Sequence, residues 1–254
     1  MNGPWLPWRS ALVLAGAVGL ASVIAVIWGW SSLDRDDEGA IIVLAPSSLA
    51  PVQDALDAAL EAELGEAPQW NFSGSQSIVA QITDGAPVDV IVTADEPSYL
   101  AARAASAGRF EFRSEVTLAE NHLVLAVAAG NPGRVDRLAT LADPDPLVGV
   151  CAPVVPCGRL AVTAMAGLGA EIDADTEETS VRALTAKLVS GELDAGLVYR
   201  TDARAAGLDV IAVDGLDAFT NTYWGGANDR GRAVIDFLAS DEGQAILRAA
   251  GFGS

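Results

Sequence analysis

Residues 40–65, AIIVLAPSSLAPVQDALDAALEAELG, decide the fold. The first six form a short apolar run of strand character, and Pro46-Ser47-Ser48 breaks it. Leu49, Val52, Leu56, Leu60 and Leu64 then recur at helical spacing, with Asp54, Asp57, Glu61 and Glu63 on the other side and Gly65 as a stop. The stretch reads as strand, serine turn, amphipathic helix.

Downstream the same grammar repeats. Residues 69–72, 88–93 (VDVIVT), 122–128 (HLVLAVA), 147–150, 195–199 (AGLVY) and 210–213 read as strands. Residues 76–83, 97–108, 159–168 and 180–189 read as helices, and 231–251 as one last helix. Strands alternating with helices at this spacing predict an α/β protein with largely parallel strands. The run is long for one sheet, so two α/β lobes are expected.

Upstream lies a different element. Residues 11–30, ALVLAGAVGLASVIAVIWGW, carry no charge, and twenty helical residues span about 30 Å, the thickness of a bilayer core. Arg9 precedes the run and Asp34, Asp36 and Asp37 follow it, which places the remainder outside the cytoplasm. Trp5, Trp8, Trp28 and Trp30 sit at its two ends, and no small-residue cleavage site follows. The expectation is an uncleaved anchor, with a removed signal peptide as the alternative; both export the chain.

Composition narrows the function. Of 254 residues, 15 are Lys or Arg and 34 are Asp or Glu, for a net charge of −19. A surface this acidic excludes nucleic acid as a partner. With a single lysine, Lys187, and a single histidine, His122, few side chains do acid–base work near neutral pH. An enzyme would have to run on carboxylates, hydroxyls or a thiol. Gly74-Ser75-Gln76-Ser77 lacks the glycine pattern of a nucleophile elbow, so an enzyme is not expected. No free metal cation and no cofactor is expected either.

The informative positions are the helix starts: Ser48, Ser75, Cys157-Gly158 after Pro156, and Ser180-Val181. A helix start presents unpaired N–H groups and partial positive charge, so several converging starts would hold an anion without a cationic side chain. One serine at one start is an ordinary cap. Convergence of the four is not legible in the pattern.

From residue 41 onward the chain resembles the periplasmic molybdate-binding proteins, the substrate-binding components of molybdate ABC transporters. Carrying the resemblance are Ala45-Pro46-Ser47-Ser48-Leu49, Phe72-Ser73-Gly74-Ser75, Gln81-Ile82, Gly85-Ala86-Pro87-Val88-Asp89 and Ala94-Asp95. Asn121-His122-Leu123-Val124, Val155-Pro156-Cys157-Gly158, Val181-Arg182, Gly196-Leu197-Val198-Tyr199 and Thr201-Asp202-Ala203 follow in order. Cys157 stands where the family often has alanine, and Pro46 departs from its usual alanine-rich turn.

The resemblance implies a two-lobed periplasmic-binding-protein fold of type II, with a central mixed, mostly parallel sheet in each lobe. Residues 1–38 would be the anchor or signal and linker, 39–118 plus 212–254 lobe I, and 119–211 lobe II. It implies that the hydroxyls of Ser48, Ser75 and Tyr199 and the backbone N–H groups of Cys157 and Val181 bind an oxyanion. The ligand would be molybdate, and tungstate with it, delivered by a monomeric binding protein to an ABC permease. The alternative is an anchored sensor or a binder of another small anion such as sulfate. A neutral donor set suits a fully deprotonated dianion, which offers only acceptors; protonated phosphate would bring a donor that costs about 1–3 kcal/mol if left unpaired.

Two cysteines, Cys151 and Cys157, lie in a compartment that permits disulfides, and a bridge between them is expected, with a reactive thiol or inert free thiols as alternatives. His122 reads as a structural polar residue at a strand start.

Overall fold

The computed structural model describes residues 39–107, 111–112 and 114–253. The expected anchor or signal at 11–30 lies outside the described residues. Among those residues no helix is long and apolar enough to cross a membrane.

The described residues open on β1 (Ile42–Pro46), a 3-10 helix (Ser47–Val52), α1 (Gln53–Leu64), β2 (Gln69–Ser73), α2 (Ser75–Thr83), β3 (Val90–Thr93) and α3 (Glu96–Ser106). Val43, Leu44 and Ala45 of β1 are buried, and α1 turns Leu56 and Leu60 inward. Gly65 ends α1 in the left-handed conformation, at φ 87°, which favours a residue without Cβ. Trp70 on β2 fixes the helix from outside, its Nε1 donating to Asp57 at 2.6 Å.

Then comes β4 (Ser114–Val127), fourteen residues long, followed by β5 (Val148–Cys151), α4 (Pro156–Leu168), β6 (Thr176–Glu178), α5 (Val181–Ser190), β7 (Ala195–Tyr199), α6 (Arg200–Ala206) and β8 (Asp209–Ile211). After β9 (Thr220–Ala227), α7 (Arg232–Ala239) and α8 (Asp241–Ala250) close the described chain.

Strand order is β2-β1-β3-β9-β4-β7-β5-β6, with β8 also on β4. The length of β4 makes this possible. Its first half pairs with β9, from Ser114 opposite Ala227 to His122 opposite Thr220, and its second half pairs with β7 and β8. Three apolar cores follow among the described residues, the smallest built on Leu44, Ile78, Ile82 and Ile91. Val43, Leu56, Val90 and Tyr223 belong to the core beside β1, β3 and β9, while Leu125, Val148, Leu184 and Leu197 belong to the one beside β5 and β7.

Three expectations need correction. The sheet is not mostly parallel: β3–β9, β4–β9, β4–β7 and β4–β8 are antiparallel, against parallel β1–β2, β1–β3, β5–β6 and β5–β7. Strands that cross between the half-sheets arrive from the opposite direction to those fed by helices, which the βα alternation did not reveal. The last helix is two helices, because Ser240 is extended at ψ 165° and its hydroxyl caps Gly243 N–H instead. Finally, His122 is not at a strand start but inside β4, where its Nδ1 lies 2.7 Å from the carbonyl of Asp217.

Candidate functional site

Four helix starts meet at one small cavity. Pro46, Ser47 and Ser48 come from the end of β1 and the 3-10 turn, Gly74 and Ser75 from the start of α2, Val155, Pro156 and Cys157 from the start of α4, and Thr179, Ser180 and Val181 from the start of α5. Tyr199, the last residue of β7, completes the wall with Ser73, Gln76 and Ala94. All five residues expected from the sequence, Ser48, Ser75, Cys157, Val181 and Tyr199, stand on this one lining. The cavity leaves ≈ 20 Å³ for the centre of a water-sized sphere. One water needs about 10–15 Å³ by that measure, so the space suits a very small ligand.

No lining residue carries a charge. What the cavity offers is donors. Pro156 occupies the first position of α4, where a missing N–H costs nothing, and leaves the N–H of Cys157 as the first donor of that helix. Val181 opens α5 behind Ser180, whose hydroxyl caps Ala183 N–H at 3.2 Å. These first-turn N–H groups have no carbonyl within their own helix.

Ser48 and Ser75 do not act as caps, as their positions in the sequence suggested. The 3-10 turn is preceded by Pro46 and α2 by Gly74, neither with a side-chain cap. Ser48 Oγ instead lies 2.5 Å from Tyr223 Oη, and Ser75 Oγ accepts from the N–H of Ala94 at 3.1 Å. Both serines are buried. Burial also holds the Tyr199 phenol well above its ordinary value of 10.0, with neighbouring Tyr223 adding and the Asn221 hydrogen bond opposing, so its proton stays in place.

Cys151 and Cys157 form a disulfide, with Cα atoms 5.7 Å apart, tying the end of β5 to the first turn of α4. Gly158 is required beside it, because a Cβ there would fall 1.9 Å from the carbonyl oxygen of Ala152.

Sequence reasoning missed the groups behind the lining. Asn221 Nδ2 donates to Tyr199 Oη at 2.5 Å, and Asn121 Nδ2 donates to Tyr223 Oη at 3.2 Å and Thr201 Oγ1 at 2.7 Å. It also missed two links between the elements that carry the lining. Gln76 Nε2 donates to the carbonyl of Thr179 at 2.6 Å, and Arg159 on α4 pairs with Asp95, the cap of α3. Gly74 lets the chains come this close, since a Cβ there would lie 2.8 Å from Thr179 O. Asn121, Thr201 and Asp95 stand within the motifs that carry the resemblance, which was the available signal for them; Asn221, Tyr223, Gln76 and Arg159 stand outside those motifs.

Among the described residues no group of three or more His, Cys, Asp or Glu side chains is arranged to hold a metal ion. The cavity can bind a small acceptor-rich anion by hydrogen bonds alone.

Comparison with known proteins agrees with the fold. The chain is 32% identical over 209 residues to the molybdate-binding protein ModA of Mycobacterium tuberculosis and of Mycobacterium bovis, covering 80% of this chain and 77% of the relative. It superposes on the periplasmic molybdate-binding protein of Azotobacter vinelandii with a TM-score of 0.71 at 21% identity, over 84% of this chain and 99% of the other. The sulfate-binding protein SubI of Mycobacterium tuberculosis superposes with a TM-score of 0.67 at 19% identity, over 84% and 85%. Residues 41–253 match the family model described as bacterial extracellular solute-binding protein. Matched over nearly all its described length, the chain belongs to the bacterial extracellular solute-binding proteins.

Proposed function

We propose that this chain captures molybdate, and tungstate with it, outside the cytoplasm and delivers it to an ABC permease. One observation carries the reading: three hydroxyls and two first-turn N–H groups, on Ser48, Ser75, Tyr199, Cys157 and Val181, line one small cavity that holds no charged side chain. Such a set matches a fully deprotonated tetrahedral dianion, which needs donors on every side. The molybdate-binding mycobacterial relatives support the choice of ligand. Sulfate would fit the same donor chemistry, and its smaller size is the property by which a closed cavity would tell the two apart.

The lobes in this reading are residues 39–118 with the C-terminal segment, and the intervening segment from 119. Support for the first crossing comes from Leu118 packing in the core beside β1 and Leu123 in the core beside β5. The return crossing fits β9 better than residue 212, because Val213, Leu216 and Phe219 pack with the core beside β5. Lobe closure around the anion would create the form the permease recognises. An N-terminal helix at 11–30 would hold the monomer at the membrane.

Titration calorimetry with molybdate, tungstate and sulfate tests the ligand. Co-purification tests the partner, a permease supporting delivery and a signalling kinase supporting a sensor.

A further inference from the structure

A hydroxyl can donate or accept, so three hydroxyls do not by themselves reject a protonated anion. Rejection requires that each hydroxyl be forced to donate. Resting on the oxyanion reading above, we infer that Asn221, Asn121 and Tyr223 are positioning residues that fix the polarity of the Ser48, Ser75 and Tyr199 hydroxyls, so that these three present donors and favour molybdate over hydrogen phosphate, with Gln76 Oε1 the one buried acceptor of the lining without a partner among the described residues.

Two of the three hydroxyls are engaged from behind by a group that can only donate. Ser75 Oγ accepts from Ala94 N–H at 3.1 Å, and a backbone N–H cannot accept in return. Tyr199 Oη accepts from Asn221 Nδ2 at 2.5 Å, and an amide nitrogen likewise only donates. Both hydrogens are therefore left for the cavity.

Ser48 is set through a relay. Thr201 Oγ1 directs its hydrogen toward Asp202 Oδ2 at 3.5 Å, so it accepts from Asn121 Nδ2 at 2.7 Å. This orients the amide, whose nitrogen also donates to Tyr223 Oη at 3.2 Å. Ser48 Oγ and Tyr223 Oη lie 2.5 Å apart and either could donate; because Tyr223 Oη already accepts from Asn121 Nδ2, we assign the shared proton to Tyr223. The Ser48 hydrogen then points to the cavity as well. Asn121 and Asn221 are directly paired across β4 and β9, so one rung of the sheet serves hydroxyls from both half-sheets. Hydrogen bonds aligned in one direction strengthen one another.

The test measures the affinities of molybdate and inorganic phosphate by calorimetry at mildly alkaline pH, where phosphate is mainly the doubly charged hydrogen phosphate. Asn221→Asp replaces the donor by a carboxylate that takes the Tyr199 proton and turns a lone pair to the cavity. Molybdate affinity should fall about 10- to 100-fold, and the preference for molybdate over phosphate should fall at least about tenfold. The added negative charge repels both dianions alike and cancels in the ratio. Tyr223→Phe keeps the packed ring and frees Ser48 to turn, so the preference should fall about three- to tenfold even if Asn221→Asp does not fold. Parallel losses for both ions in folded Tyr223→Phe, with the ratio unchanged, would overturn the inference and leave the oxyanion reading intact. A wild-type chain that binds neither ion would remove both.

Discussion

Arg159 donates to a single carboxylate oxygen of Asp95 through both Nε, at 2.9 Å, and Nη2, at 2.5 Å, joining α4 to the start of α3 close in sequence to the lining residues Cys157 and Ala94. The other oxygen of Asp95 caps α3 by accepting from Ser98 N–H at 3.0 Å. One carboxylate thus caps the start of a helix and links the two half-sheets. Arg159 is 36% exposed and solvent weakens the pair, so its contribution is about 1 kcal/mol. Arg159→Ala should lower ligand affinity about three- to tenfold, mainly through faster release, with the unliganded melting temperature nearly unchanged; stopped-flow dissociation reads this. An unchanged release rate would show that the pair is not a latch.

Removing donors from the lining should act more strongly. Ser75→Ala with Tyr199→Phe deletes two hydroxyls that would face the anion in the proposed reading, each worth about 1.5–3 kcal/mol against a charged partner. Affinity should fall about 100-fold or more while the far-ultraviolet circular dichroism stays that of the wild type. An undiminished affinity in the double variant would disprove the assignment of both residues.

The disulfide restrains a short loop just before the α4 donors. Closing a loop with a sequence separation of 6 stabilises by about 2 kcal/mol. Cys151→Ser with Cys157→Ser should lower the urea midpoint accordingly and weaken binding several-fold, because the Cys157 N–H loses its anchor. Equal stability of the oxidised and doubly substituted proteins would contradict this.

Asp202 ties stability to pH. Burial pushes its carboxyl from 3.8 up to about 7, with the Thr201 hydrogen bond and the Arg182 charge opposing. Since the folded value lies above the unfolded one, the folded chain keeps a proton that the unfolded chain has released between about pH 4 and 7. The destabilisation is therefore absent at low pH, grows through that window, and is complete above about 7, with an upper bound of about 4 kcal/mol. Asp202→Asn should be more favourable relative to the wild type at about pH 8 than at about pH 5, as urea unfolding at the two values will show. A difference independent of pH would mean that Asp202 is ionised throughout.

How much of this could be read beforehand depended on locality. The strand at Ala195–Tyr199 and the cap at Ser180 are local features, set by an apolar run and by the residue type at a helix start, and both were legible. β9 was not. Its sequence TNTYWGGA contains Gly225 and Gly226, which weaken a strand pattern and are there because Ile235, Leu118 and Tyr99 pack against their backbone. Overlooking β9 meant overlooking Asn221 and Tyr223, whose partners lie 22 and 175 residues away in the chain. The lining residues became legible as a set only through family resemblance, since helix starts reveal their caps but not where they point.

Whether this cavity binds molybdate is decided by titration of the purified chain with molybdate, alongside tungstate, sulfate and phosphate. Saturable one-to-one binding of molybdate and tungstate at micromolar concentration or below is expected, with sulfate weaker and phosphate weaker still. No heat and no thermal stabilisation with molybdate or tungstate, from protein that is folded and free of bound ligand, would contradict the proposed function.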